Sequence, residues 1–435
     1  MLALRSPRAV LWLAAGLVIS PLSAFDFADL QKAADDAKPG STLTVPPGNY
    51  QGQLVLRHPI TLQAKAATLT HEEGKPGPTL WIQAPDTTVD GLTLVGSGTG
   101  TKRDNTALVV TGDRAVLKNL TIREAWAGVW VEGAAGVLIE GLKLQGWKDY
   151  PFWERGEGVR LTDTVGSTLR NLDLSFTGDG VLLENARGTD LGTVRVSQAR
   201  YGVHLMFGSE GRARNLTTKQ TVVGLMAMET SDWTIQSSQF TEGYRTGSAG
   251  VRQVRTKNLR IEDSRIVRQA TGVELLDARA GLLRGNQIEE NAIAWSLGGD
   301  NGQTRVAANS HRGNLIDLAG GELKEADVVA VDAHSHTASS RGQAPVEAST
   351  AKTRPLFQGN YWDAWKGWDL DQDGFGDTPY RFDPETSARI TSRPWAGVLL
   401  GSPWSSYTQA LPGGQSLDPR PLVSPPRFSL SLKDD

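Results

Sequence analysis

The feature that most constrains this chain is a glycine that returns on a fixed step. Gly158, Gly180, Gly202, Gly224, Gly250 and Gly272 each open a short apolar run, at intervals of 22, 22, 22, 26 and 22 residues. A second column, Leu174, Val196, Thr218, Phe240, Ile266 and Ile288, repeats the same intervals. Gly128 opens a related run upstream, set further from Gly158 by the insertion Trp147 to Trp153. Two columns that keep step across insertions mean that each strand stacks on its own copy about 4.8 Å away, as in a parallel solenoid. A doubly wound α/β sheet would need helices of about a dozen residues between strands, and the connecting pieces are too short and too polar. The expected fold is therefore all-β, a single-stranded right-handed parallel β-helix of about ten turns.

The segments flanking the repeat set the expected organisation. Arg5 and Arg8 precede an apolar run from Ala9 to Ile19 and then Pro21 to Ala24, so residues 1–24 read as a signal peptide cleaved after Ala24. The apolar run is short for a membrane span, which favours export with removal over an anchor. Phe25 to Lys38 has its apolar residues at helical spacing and ends at Pro39-Gly40, reading as a helix that covers the open end of the first coil. The β-helix with this cap is expected over 25–320, a polar loop over 321–357, and an irregular extension over 358–435. The loop carries His334 and His336, a pair that fits a solvated segment better than a metal site. In the extension, Asp369, Asp371, Asp373 and Asp377 match positions 1, 3, 5 and 9 of a calcium loop, with Tyr380 at position 12 in place of Glu. That stretch fits calcium binding or simply a tight acidic turn. Pro394 to Trp404 and Leu417 to Pro426 either wrap back on the solenoid or dock onto a partner, and the apolar, Trp-rich tail from Trp362 onward is expected to be the surface that meets it.

The candidate chemistry lies in two consecutive turns, Tyr201 to Met206 and Val223 to Met228. Aligned on the repeat, His204 falls on Met226 and Met206 on Met228. If Val203, Leu205, Leu225 and Ala227 face the core, these four face the opposite side and are expected to meet water. Neighbouring turns lie about 4.8 Å apart and alternate residues about 6.6 Å apart, so four side chains can converge on one ion. The 435-residue chain has no cysteine, which excludes disulfides and thiolate metal sites. Thioether sulfur is soft and uncharged, suits Cu(I), and discriminates against zinc, calcium and magnesium. Methionines filling gaps in the core are the competing explanation, and it requires the strand parity to fail in two turns at once. A net charge of −3 offers no electrostatic case for nucleic acid. The other function compatible with a long strand face is that of a polysaccharide lyase, hydrolase or epimerase, using Glu132, Arg160, Glu184, His204 and Arg252. Such an enzyme would be expected to show paired carboxylates where the thioethers stand.

The stretches from Leu30 to Tyr50, Gly202 to Met206, Leu225 to Met228 and Gly359 to Tyr380 resemble the NosD family, periplasmic β-helix proteins of nitrous oxide reductase maturation. The resemblance covers nearly the whole chain after residue 24, and its last stretch is the most distinctive. It implies a non-enzymatic copper-binding protein of the periplasm that supplies Cu(I) for the tetranuclear centre of nitrous oxide reductase during denitrification. The partners it implies are the permease and ATPase subunits of an ABC transporter, a copper-donating lipoprotein and the reductase itself. His204 and Met206 match the family's His-x-Met, and Met226 and Met228 its downstream methionines. Two features depart from the family: the long loop from Glu322 to Thr353, and Glu229, where the family favours an aromatic residue.

Overall fold

The computed structural model describes residues 25–97, 105–243, 247–319, 356–382 and 415–426. They form a parallel β-solenoid with a single helix. One face is a 12-stranded parallel sheet from Leu54–Leu56 to Ile316–Ala319, and the other faces merge into a 23-stranded sheet. The coil thus has about twelve turns rather than ten: the glycine column runs only from Ala127–Glu132 to Thr271–Leu276, and strands before and after it, such as Leu54–Leu56 and Ile316–Ala319, stack without it. The pairing follows the repeat: Leu183 stands against Leu205, and Leu205 against Ala227, all buried in one continuous apolar core. Residues 1–24, read from the sequence as a signal peptide, and the His334/His336 pair lie outside the described residues.

The repeating glycines are required by close approach and not by a turn. A Cβ on Gly202 would lie 2.5 Å from the carbonyl oxygen of Gly224 and 2.4 Å from the side chain of Thr218. The strand pairing skips each of these glycines: Asp179 pairs with Tyr201, and the next pair is Val181 with Val203. The corners use other residues. Asn171, Asn215 and Ser237 adopt φ of 57°, 56° and 51°, the left-handed region that short polar side chains tolerate.

The N-terminal helix, Phe27–Asp36, begins with a reciprocal capping box between Asp26 and Asp29. It buries Leu30 and Ala34 on the coil. Gln31 imitates a missing strand, donating from Nε2 to the Val55 carbonyl at 3.0 Å and accepting the Val55 N–H at 2.9 Å. This satisfies edge groups that would otherwise offer a template for pairing with another chain.

At the other end the ladder resumes at Phe357, beyond residues 320–355. Phe357–Gln358 pairs with Val306 and Ala307, and Tyr361–Trp362 pairs with Ser310 and His311, so residues placed from sequence at the end of the polar loop and the start of the extension supply the last described rungs. One corner carries a buried chain of side-chain bonds: Ser264 N–H to Asn286 Oδ1, Asn286 N–H to Asn309 Oδ1, Asn309 N–H to Asn360 Oδ1, at 2.8–3.0 Å. It terminates on the fully buried Asp418, which accepts the N–H groups of Asn360 and Gly359 and the indole N–H of Trp362. Trp362, expected on a docking surface, is instead buried, stacked on His311 at 3.8 Å and on Tyr380 at 4.9 Å. An indole with its N–H satisfied inside belongs to the core. Trp368 and Leu370 are the most exposed large apolar residues among the described ones.

His311 accepts the Trp295 indole N–H at Nε2 and has Nδ1 3.1 Å from the Tyr361 carbonyl, so the neutral ring is fully used. Burial pushes its pKa down to about 3. Nearby, burial pushes Asp317 up to about 6, against the Tyr380 hydroxyl that donates to it. The two groups act on stability with opposite sign. The Asp317 contribution is complete below its unfolded pKa of about 3.9 and fades as pH rises through the folded value, whereas the His311 contribution is complete above about 6.5 and is lost on acidification. Between pH 4 and 6 they offset each other. The Asp317→Asn variant should therefore lose stability more steeply than the wild type on going from pH 6 to 4, by about 1.4 kcal/mol per pH unit. Parallel slopes in a thermal melt series would contradict this assignment.

Candidate metal centre

The four residues singled out in the sequence come together as the repeat requires. His204 pairs with Met226 and Met206 with Met228 on adjacent strands Tyr201–Met206 and Val223–Met228. All four lie on the face turned away from the main core, but the expectation that they meet water is corrected. His204 is 7% exposed and Met226 5%, whereas Met206 and Met228 are half-buried. Met226 forms a small separate apolar cluster with Val223 and Ala249, flanked by Tyr201, Met228 and Val254. The cause is the skipped glycine: the residue before it turns onto the outer face, so Tyr201 and Val223 cover what parity alone would leave open.

His204 has a neighbour that sequence reasoning missed. Its Nδ1 lies 2.9 Å from Oδ2 of Asp179, a carboxylate with no exposed surface. The other carboxylate oxygen accepts from Arg200 Nε at 3.0 Å and Nη2 at 2.7 Å. The Arg200 guanidinium stands over the Tyr201 ring at 4.7 Å, and that ring meets the imidazole edge-to-face at 5.0 Å. His204 Nε2 is buried and has no hydrogen-bond partner. A buried imidazole with one nitrogen held by a carboxylate and the other unpartnered is the arrangement of a metal-ligating histidine. The sequence did carry a signal: Asp179 stands in the column Glu157, Asp179, Tyr201, Val223, Ala249, Thr271, one residue before each glycine, where an acid beside buried apolar residues needs a partner. In that column burial pushes the Glu157 carboxyl above its usual range; Asp179 adds to the shift and Arg160 and Arg200 oppose it.

The charged residues on the same face are committed elsewhere. Glu184 accepts from Arg160 Nη2 at 2.6 Å, and Arg160 also lies over the Trp130 ring at 4.4 Å. Arg252 donates to Glu274 on the following turn. Glu132 sits in the same column as Glu184, two rungs away. The four residues are thus bordered by paired charges while remaining uncharged themselves, a character that suits a soft monovalent ion.

The acidic turn is separate from this centre. Carboxylate oxygens of Asp369, Asp371 and Asp373 lie within 4.8 Å of one another. Asp377 is not part of that group, since its carboxylate accepts the Leu370 N–H. Asp369 accepts the N–H groups of Asp373 and Gly374 at 3.1 and 3.0 Å, and Arg420 donates to Asp373. These bonds hold the turn against the segment around Asp418.

The burial difference within the set is measurable. In metal-free protein treated with dilute peroxide, Met206 and Met228 should form sulfoxide ahead of Met226, as read by fragment-ion mass spectrometry. Equal rates at all three would contradict the enclosed position of Met226.

A profile of the family described as periplasmic copper-binding protein (NosD) matches residues 142–367, more than half of the chain and including all four residues. Two relatives, each named "Probable ABC transporter binding protein NosD", come from Pseudomonas aeruginosa and Stutzerimonas stutzeri. They are 24% identical over 373 residues and 25% over 374, spanning 82% of this chain and 80% of theirs. Among solved structures, the catalytic domain of a GH87 alpha-1,3-glucanase in complex with tetrasaccharides superposes with a TM-score of 0.53 at 12% identity, over 74% of this chain and 68% of that one. The A-module of Azotobacter vinelandii mannuronan C-5 epimerase AlgE6 gives 0.50 at 14%, over 67% and 91%. At such identities these likenesses are of fold alone, and it is the profile match that assigns the family: the chain belongs to the NosD family of periplasmic copper-binding proteins.

Proposed function

We propose that this protein, after removal of residues 1–24, is a non-enzymatic carrier. It holds Cu(I) at His204, Met206, Met226 and Met228 and passes it to nitrous oxide reductase during assembly of the tetranuclear copper centre. The observation that carries this reading is the buried, unpartnered Nε2 of His204 on the rung shared with Met226. Imidazole and thioether form a soft, uncharged set, and the absence of thiolate favours release as well as capture. The relatives' naming as ABC transporter binding proteins supports work beside the permease and ATPase subunits of such a transporter, with a copper-donating lipoprotein upstream.

A polysaccharide-active enzyme is the competing function. It would need an acid and a base poised at this face, and Glu184 and Glu274 are each paired with an arginine there. Replacing Met226 and Met228 with Leu conserves apolar bulk while removing both thioethers. In a Cu(I) competition titration under reducing conditions this double variant should bind at least about 10-fold more weakly. Undiminished binding would sink the copper site, and cleavage or epimerisation of a uronate polymer by the intact protein would promote the enzyme.

For the transporter, Trp368 and Leu370, exposed at 69% and 79%, replace Trp362 as the docking residues. Truncation behind Tyr380 would also remove Asp418, so the cleaner variant is Trp368→Ser with Leu370→Ser. Co-purification with the transporter should be lost while the melting temperature holds; retained co-purification refutes this docking site.

A further inference from the structure

We propose that Asp179, oriented by Arg200, is a positioning residue that fixes the tautomer of His204 and so presents Nε2, and not Nδ1, to the bound metal. This rests on the copper reading above, and adds the device by which the histidine is made a ligand.

A carboxylate can only accept, so a ring nitrogen 2.9 Å from Asp179 Oδ2 carries its hydrogen, and the lone pair of the neutral ring resides on Nε2. The same chain contains a contrasting case in His311, also buried, whose two nitrogens are both satisfied by Trp295 and the Tyr361 carbonyl. His204 has the first half of that arrangement and lacks the second. Of the buried side-chain atoms without a partner among the described residues, this one is the imidazole nitrogen, and it sits beside Met226.

Arg200 decides which atom of residue 179 faces the ring. Both of its contacting nitrogens donate to Oδ1, and a guanidinium has no acceptor to offer in exchange. In the Asp179→Asn variant the side-chain oxygen would stay with Arg200, and the amide group would be left facing Nδ1. That amide donates, so the ring hydrogen would move to Nε2 and occupy the lone pair needed for the metal. The change in volume is negligible and the change in ligand chemistry is complete. If Arg200 is also removed, the introduced amide is free to rotate, present its oxygen to Nδ1–H and restore the original tautomer.

The test uses the full-length mature protein, with imidazole nitrogens observed by two-bond ¹⁵N NMR in the metal-free state and Cu(I) affinity measured by chelator competition. The wild type should carry its hydrogen on Nδ1. Asp179→Asn should carry it on Nε2 and bind Cu(I) about 10–100-fold more weakly. The double variant Asp179→Asn with Arg200→Leu should recover the Nδ1–H tautomer and most of the affinity, a rescue that a merely structural role would not give. A wild-type ring with hydrogen on Nε2 overturns the lock, and that measurement needs no variant to fold. An unchanged tautomer in Asp179→Asn overturns it as well, whatever the copper titration gives. A tautomer that switches with no loss of Cu(I) affinity removes His204 from the copper site and fails the underlying reading instead.

Discussion

Everything in this molecule depends on the stacking of each strand on its own copy. Where Gly202 meets the carbonyl of Gly224 there is no room for a side chain, and that closeness keeps the turns in register. Once register holds, residues 22 apart in sequence are neighbours in space, and a chemical property need only recur at that interval to become a surface. The methionines use this directly. Two separate pairs, each with alternate spacing, become a compact group without any loop or hinge to arrange them.

The group has an inside and an outside. His204 and Met226 are enclosed, and Met206 and Met228, on the neighbouring column, are half-buried. Among the described residues, the full charges beside the imidazole belong to Asp179 and, through it, Arg200, and they offset one another. An enclosed set with little net charge has modest affinity for hard, multivalent cations, because it offers nothing to replace their hydration.

How much of this was legible beforehand divides along the difference between period and packing. The period of the strands, the partners His204–Met226 and Met206–Met228, and the covering helix were all readable, since they follow from spacing. Whether an outward residue meets water was not. That depended on Tyr201 and Val223 turning outward at the skipped glycine, a local irregularity within an otherwise strict repeat. Asp179 was overlooked because it stands outside the two columns that carry the obvious chemistry, though an acid in that position has few ways to be buried. Trp362 differs for a related reason: composition marks it as apolar, and only the ladder that resumes at Phe357 shows which surface it covers.

That resumed ladder has a consequence for the order of events. The side chains of Asn286, Asn309 and Asn360 pass their hydrogen bonds in one direction, and the final acceptor, Asp418, arrives far later in the chain. In a protein made from its N-terminus the early turns can close as they emerge, each one a template for the next. The last turns cannot: their polar groups wait for a carboxylate supplied from near the end. The coil is therefore open to extension until the tail folds back, and Asp418 acts as its full stop.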